Sequence, residues 1–253
     1  MQSLKLLATN VALLASVGVA MASTVVFTDN TLNLANYTIT NSLINNGGPI
    51  TITPAQSGTV GNPAPGLQIT FTSDGASALN ASSFLLFVNN TFTYNPATQG
   101  AITSLNFSND RFVDGGGLNA LGLTTSSRFV IFQGGNLYYA TILDPNGGHT
   151  FQSWFTTSAT GLLATDFSLF NPATQALNTS LHPDFSAAGG VASFGFANRL
   201  SVGTPTPFAL NAVFDFDNVS VSVNPTPEPA TWGLIVIGIG FLAMLKNWRA
   251  GAR

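Results

Sequence analysis

Strict alternation marks Leu67-Gln68-Ile69-Thr70-Phe71-Thr72, where an apolar side chain takes every second position. Because successive side chains of a strand point to opposite faces, this stretch predicts a strand with one apolar and one polar face. The same alternation occurs at residues 50–53, less strictly at Phe151 to Trp154, and again at residues 214–223. Phe and Thr also suit a pleated, half-buried surface. The middle of the chain is therefore predicted to be sheet.

Turn residues support this prediction. Residues 128–133 and 137–142 are two strand-like runs, and the short Gly-rich segment Gly134-Gly135-Asn136 joins them as in a hairpin. No long amphipathic helix interrupts the pattern. About a dozen short strands with polar turns predict an all-β fold, an antiparallel β-sandwich of the jelly-roll type.

Composition indicates how this domain holds together. Only 7% of the 253 residues are charged, but 45% are hydrophobic and 20 are Phe, so the chain can bury a core beneath an uncharged polar surface. Cysteine is absent, so core packing alone must stabilise the domain.

Charge excludes one class of partner. Residues 23–224 contain nine aspartates and three cations, which are Arg111, Arg128 and Arg199. An acidic chain without a basic patch is a poor ligand for nucleic acid and for anionic lipid head groups. No nucleic-acid partner is therefore predicted.

The N-terminus has the organisation of a secretory signal peptide. Lys5 precedes a short apolar stretch at residues 11–19, and Ala20-Met21-Ala22 is a small-residue cleavage site. The sequence therefore predicts a signal peptide over residues 1–22, with signal peptidase and the secretion machinery as partners. The ectodomain then extends over residues 23–224.

The C-terminus, residues 225–253, has three parts. A proline-rich stretch, which disfavours helix, is followed by an apolar run at residues 230–245 and then by Lys246, Arg249 and Arg253. The run predicts a transmembrane helix, and the cations that follow it predict a cytoplasmic C-terminus.

These C-terminal residues carry a family resemblance. Pro227-Glu228-Pro229, followed by an apolar helix and a basic end, resembles the PEP-CTERM sorting signal of Gram-negative bacteria. The resemblance implies an exosortase-type membrane peptidase as partner and a host that makes exopolysaccharide. It implies an exported protein, first an inner-membrane intermediate and then at the cell surface or extracellular. The basic end is sparser than in the family, which leaves a plain single-pass anchor as the alternative.

The last strand and three aromatic residues suggest sugar binding. Residues 213–221 are similar to the closing strand of lectin-like and carbohydrate-binding jelly rolls. Tyr138, Tyr139 and Trp154 are candidates for aromatic rings that stack on sugars, with core packing as the alternative for Trp154 and for one of the two tyrosines. Because Tyr138 and Tyr139 are adjacent, they point to opposite faces of a strand, so one of them is expected to face outward.

Oxygen-bearing side chains offer a second candidate site. Asp215, Asp217 and Asn218 supply the ligand atoms that Ca²⁺ prefers, although polar residues on the outer face of an edge strand would have the same pattern. Calcium is therefore the one cofactor considered. Asp110 and Asp114, which flank Arg111, are expected to form a solvated ion cluster with it.

Catalysis is not predicted. The chain lacks cysteine, and its single glutamate, Glu228, lies in the C-terminal tail. Asp215 and Asp217 could serve a polysaccharide hydrolase only if they faced each other across a cleft. The sequence thus predicts an exported, exosortase-sorted surface or matrix protein with a non-catalytic β-sandwich. The alternatives are a lectin-like domain for the host's exopolysaccharide and, third, a polysaccharide hydrolase.

Overall fold

The computed structural model describes residues 23–114, 124–140 and 152–226. The predicted signal peptide with Ala20 and Ala22, the sorting motif at Pro227, Glu228 and Pro229 and the apolar run after it lie outside these residues. In the described part of the chain, no helix is long and apolar enough to cross a membrane.

The described residues between Thr24 and Pro225 form one compact unit. The described residues contain thirteen strands: β1 Val25–Asp29, β2 Tyr37–Asn45, β3 Ile50–Ser57, β4 Gly66–Ser73, β5 Ala78–Tyr94, β6 Ile102–Asp114, β7 Thr124–Gln133, β8 Asn136–Ala140, β9 Phe155–Leu162, β10 Phe167–Asn171, β11 Ala176–Asn178, β12 Ala192–Pro207 and β13 Asn211–Pro225. One α-helical turn, α1, covers Pro96–Gln99, and two 3-10 turns cover Leu34–Asn36 and Ala164–Asp166.

The strands form two sheets, and every strand pair is antiparallel. One sheet has six strands in the order β3-β4-β13-β6-β9, with β1 also paired to β13. The other has seven strands in the order β11-β10-β8-β7-β12-β5-β2. The predicted fold class, an antiparallel β-sandwich of the jelly-roll type, is confirmed.

Phenylalanine fills the space between the sheets. Phe107 of β6 stacks on Phe129 of β7 with ring centroids 4.8 Å apart, and Phe196 of β12 lies 5.3 Å from Phe216 of β13. All four side chains are at most 2% exposed. Aromatic pairs of this kind contribute about 0.5–1.5 kcal/mol beyond the area that they bury. The core therefore joins the two sheets without disulfides.

The predicted hairpin is confirmed. Strands β7 and β8 are joined by Gly134 and Gly135, whose φ values of 59° and 80° are those of a tight hairpin turn. The strand predicted from Phe151 to Trp154 is wrong in position. Gln152, with φ 63°, lies in a turn, and strand β9 begins only at Phe155; Phe151 lies outside the described residues.

A bulge interrupts the last strand. Relative to β6, strand β13 carries one extra residue between Asp217 and Ser220, and Asn218 there adopts a left-handed φ of 50°. Because an extra residue reverses the alternation, Phe216 faces the core before the bulge and Val219 faces it afterwards. At the same place, the second neighbour of β13 changes from β4 to β1.

Candidate functional site

The outer face of the seven-stranded sheet carries a second apolar cluster. Alternation along β5 points Leu85 and Phe87 into the core and their neighbours outward. The outward residues are nevertheless buried, each at most 7% exposed. The cluster comprises Phe84, Leu86, Val88, Val130, Tyr139, Phe170 and Ala197. A sheet that is apolar on both faces must be covered on both.

A turn crosses this outer face. The Nε2 of Gln175 donates hydrogen bonds to the carbonyl oxygens of Ser42 (2.9 Å) and Ser82 (2.8 Å), and the Ser42 hydroxyl donates to the carbonyl of Pro172. Pro172 directly follows β10, whereas Ser42 belongs to β2 at the far edge of the sheet. In a flat sheet, five strand spacings would separate β10 from β2, roughly 24 Å. The contact therefore requires the sheet to curl, with its outer face concave.

A polar cleft opens on the same face. It has a volume of about 340 Å³, within the range of ligand pockets, and lies along strands β5 and β12. Its polar lining consists of Asn46, Asn80, Ser82, Arg199 and Ser201. Amides both donate and accept hydrogen bonds, hydroxyls do the same, and the guanidinium only donates. The cleft therefore presents donors and acceptors to a polar ligand.

Arg199 is the one charged residue among the described residues of this lining. Its guanidinium carbon lies 5.4 Å from the ring centroid of Phe84, so a cation–π contact fixes the head of the side chain. Within the described residues it has no carboxylate partner, and its buried Nε has no hydrogen-bond partner. Burial raises the pKa of Tyr139, while the charges of Arg128 and Arg199 act to lower it, which places both cations near that ring.

Charge is segregated between the two sheets. The seven strands that hold the cleft contain Arg128 and Arg199 but no Asp or Glu. The strands of the six-stranded sheet contain five aspartates (Asp29, Asp110, Asp114, Asp215 and Asp217) and one cation, Arg111, whose side chain is buried between the sheets. Burial, and then the charges of neighbouring aspartates, raise the pKa of Asp215 and of Asp217. The strands of the six-stranded sheet therefore carry a net negative charge. The charged residues in the strands of the seven-stranded sheet are arginines.

Of the predicted calcium residues, Asp217 and Asn218 lie at the bulge of β13 and Asp215 lies two residues before it, and all three side chains take part in hydrogen bonds. Asp217 accepts hydrogen bonds from the backbone N–H groups of Asn62 and Asn218, and the Asn218 side chain donates to Asp110 (2.9 Å). Asp215 accepts from the Gln68 amide at 3.1 Å. Among the residues described, no three or more Asp, Glu, His or Cys side chains are grouped to hold a metal ion.

The three predicted stacking rings lie apart. Tyr138, 9% exposed, belongs to the core between the sheets, and Tyr139, 7% exposed, packs on Phe170 in the outer cluster with centroids 5.2 Å apart. The two tyrosines do point to opposite faces, but the expectation that one is solvent-facing is wrong because the outer face is covered. Trp154 is half-buried just before β9, and its ring centroid lies 5.7 Å from that of Phe112 on β6, the neighbour of β9 in the six-stranded sheet.

The expected solvated cluster around Arg111 is also wrong. Arg111 is fully buried between the sheets, where its guanidinium lies 5.5 Å from the ring of Phe155 and 5.4 Å from that of Phe216. Its Nη2 donates to the Thr125 hydroxyl at 3.0 Å. Strand alternation causes this, because Arg111 shares the inward phase of Val113, while the flanking aspartates point outward.

Sequence reasoning missed the cleft, although part of its signal was present. Arg199-Leu200-Ser201-Val202-Gly203 alternates, so its polar members share one face of a strand. Asn80 and Ser82 alternate likewise on β5, and antiparallel pairing sets Asn80 opposite Gly203. That pairing of distant segments is what the sequence alone does not reveal.

Fold and cleft together define an antiparallel β-sandwich with a concave sheet and an open polar cleft. A scan against protein-family models and a search of the curated proteins each found no match. Among solved structures, the chain is similar to a family 11 carbohydrate-binding module from Clostridium thermocellum, in complex with a β-1,3-1,4-mixed-linked tetrasaccharide. Identity is 10%, coverage is 81% of this chain and 98% of that one, and the TM-score is 0.37.

A second similar structure is the family 11 carbohydrate-binding module of the cellulosomal cellulase Lic26A-Cel5E of the same organism. It has 10% identity and a TM-score of 0.34, and the match covers 74% of this chain and 90% of that one.

Proposed function

We propose that this chain is an exported surface or extracellular-matrix protein whose β-sandwich binds polysaccharide in the cleft of β5 and β12. The observation that carries the proposal is the cleft itself, an open, polar groove on a concave sheet. A sugar chain presents hydroxyl groups in every direction, so its binding requires donors and acceptors held in fixed positions. Amides, hydroxyls and a guanidinium on two neighbouring strands meet that requirement.

The proposed role is non-catalytic. Glycoside hydrolysis uses a pair of carboxyl groups on either side of the scissile bond. The described lining of the cleft contains no carboxyl group. Asp215 and Asp217 belong to the other sheet, where protein groups already donate hydrogen bonds to both carboxylates. These features favour binding over the hydrolase alternative.

The C-terminal tail supplies the proposed location. An exosortase-type peptidase would recognise Pro227-Glu228-Pro229 and process an inner-membrane intermediate, so that the domain reaches the cell surface or the matrix. Deletion of these three residues in the native host should abolish processing and change where the protein accumulates. Unchanged processing and unchanged location after the deletion would contradict the sorting proposal.

Two glycine variants test the cleft. A Cβ at Gly203, which lines the cleft, and one at Gly58, which follows β3, would each meet no atom within 4 Å. Gly203→Trp should therefore fill the cleft without disturbing the fold, and Gly58→Trp is the matched control at a distant open position. The full chain, purified in mild detergent, is titrated with the host's exopolysaccharide by calorimetry.

We expect saturable binding by the wild type and by Gly58→Trp, and at least a tenfold loss of affinity for Gly203→Trp. Equal binding by all three would place the ligand elsewhere. Absence of binding to the wild type would leave a displayed structural protein. Repeating the titration with Ca²⁺ and then with a chelator tests calcium, because only a calcium-dependent domain loses binding on chelation.

A further inference from the structure

The charge of Arg199 indicates which class of polysaccharide the cleft binds. Arg199 has no carboxylate partner within the described residues, and no strand of its sheet contains a carboxyl group. The aspartates of the strands lie on the other sheet. A cation held without a counterion at an open cleft is available to a ligand that brings its own negative charge.

We propose, building on the proposed function, that the cleft selects acidic polysaccharide and that Arg199 pairs with the carboxylate of a uronic acid residue. A guanidinium matches a carboxylate in a planar, two-hydrogen-bond geometry that a neutral sugar hydroxyl cannot reproduce. The ring of Phe84, 5.4 Å away, holds the guanidinium in place before the ligand arrives. Asn80 and Ser201 then bind hydroxyl groups of the same or the next sugar.

The aspartates of the six-stranded sheet do not prevent an acidic ligand from binding in the cleft, which lies on the other sheet. Aspartates on the six-stranded sheet repel a polyanion from that side, while the strands of the cleft sheet carry no carboxyl group. Repulsion across the thickness of the sandwich, where the sheets pack about 10 Å apart, is largely screened at 0.1 M salt, whose Debye length is about 10 Å. The direct contact between Arg199 and a ligand carboxylate in the cleft is screened less by salt. The charge distribution therefore directs an acidic chain towards the Arg199 side.

Matched polymers test the proposal. Polygalacturonate and its fully methyl-esterified form share one backbone and differ in the charge of the carboxyl group. The full-length wild type should bind polygalacturonate at least tenfold more tightly than the methyl ester, and added NaCl should weaken only the former. Arg199→Gln should reduce affinity for polygalacturonate about tenfold or more and leave the methyl ester unchanged, with Arg199→Lys intermediate.

A second variant covers the case in which loss of Arg199 disturbs packing on Phe84. Ser201→Asp places a carboxylate two residues along the same face, where it neutralises the guanidinium while leaving Arg199 in place. It should also lose polygalacturonate binding. A thermal melt by circular dichroism shows that each variant is folded.

The outcomes separate this inference from the proposed function. Equal affinity for the two polymers, unaffected by Arg199→Gln and by Ser201→Asp, would overturn selection of acidic sugar and leave polysaccharide binding intact. Binding of the host's exopolysaccharide but of neither polymer would overturn the uronate assignment alone. Failure of the wild type to bind any of the three would overturn the proposed function with it.

Discussion

Asp215 is a buried residue whose charged form lowers the stability of the folded protein. The residue is 5% exposed, and its carboxyl group accepts a hydrogen bond from the Gln68 amide. Burial, followed by the charge of Asp114, raises its pKa above the ordinary value of 3.8, and the Gln68 hydrogen bond only partly offsets this. The charged carboxylate is therefore less stable in the folded than in the unfolded chain.

Asp215→Asn should stabilise the protein at pH 7, because it removes the buried charge and keeps an oxygen acceptor for Gln68. A carboxyl group with a raised folded-state pKa binds protons more readily in the folded state, so its penalty disappears as the pH falls through that pKa towards 3.8. The difference in melting temperature between variant and wild type should therefore shrink from pH 7 to pH 4.

Asp184→Asn is a control of opposite sign. Hydrogen bonds from Ser186 lower the pKa of Asp184, so its ionised form contributes stability at pH 7. This variant should melt below the wild type at pH 7 and approach it at acid pH. A stability gain for Asp215→Asn that did not depend on pH would contradict the explanation by burial.

The sequence does not show which face of a strand points outward, and this limited the prediction of individual residues. Arg111 and Arg199 are both arginines in alternating segments, yet the first lies between the sheets and the second at a cleft. Composition indicates that a charged residue belongs in solvent, but it cannot say which strand face is outward when both faces carry apolar residues. Position in the sheet decides this.

At the scale of elements, the turn after β10 holds the curled sheet. From this turn, Gln175 donates hydrogen bonds to the carbonyl groups of Ser42 on β2 and Ser82 on β5, at the opposite edge of the sheet. Gln175→Glu removes both donors and sets a carboxylate against two carbonyl oxygens, so it should destabilise the protein by about 1–3 kcal/mol and more than Gln175→Ala. Urea denaturation measures the difference.

Loss of this turn should also uncover the outer cluster around Phe84. Amides of β5 and β2 near Ser82 and Ser42 should exchange faster in Gln175→Glu, while those of the distant strand β4 stay protected. Equal stability of the Glu and Ala variants would mean that the two hydrogen bonds do not hold the turn.

Two glycines of β12 differ in whether they tolerate a larger side chain. A Cβ at Gly195 would lie 1.8 Å from the Phe87 carbonyl oxygen, because β12 and β5 approach closely at a register shift, whereas one at Gly203 meets open space. Gly195→Ala should therefore cost about 3 kcal/mol or more. Gly203→Ala should change stability by about 0.5 kcal/mol or less. Thermal melts compare them, and similar losses in the two variants would contradict the packing at Gly195.

The sequence predicted individual strands better than it predicted which strands pair with each other. The strands at Leu67 to Thr72 and on either side of Gly134-Gly135 follow from local alternation and turn chemistry, which short segments encode by themselves. The bulge at Asn218 follows from β13 passing from β4 to β1, which is a property of the sheet. Trp154 precedes its strand because turn geometry at Gln152 overrides a weak alternation.

At the scale of the molecule, fold class followed from the sequence and the cleft did not. Between the two ends of the chain, alternation, the absence of a long amphipathic helical pattern and abundant Phe predict two packed sheets. The cleft arises only when residues about 120 apart, such as Asn80 and Gly203, become neighbours and the sheet curls around them. Segregation of charge between the sheets likewise appears only once each strand is assigned to a sheet.

Hydrogen exchange of the full chain, with and without the host's exopolysaccharide, shows whether the polysaccharide binds in the cleft of β5 and β12. Binding in the cleft predicts slower exchange at residues 80–82 and 199–203, with no change around Asp215 and Asp217 on the opposite sheet. Protection confined to the six-stranded sheet would contradict the account, as would an exchange pattern that saturating polysaccharide leaves unchanged.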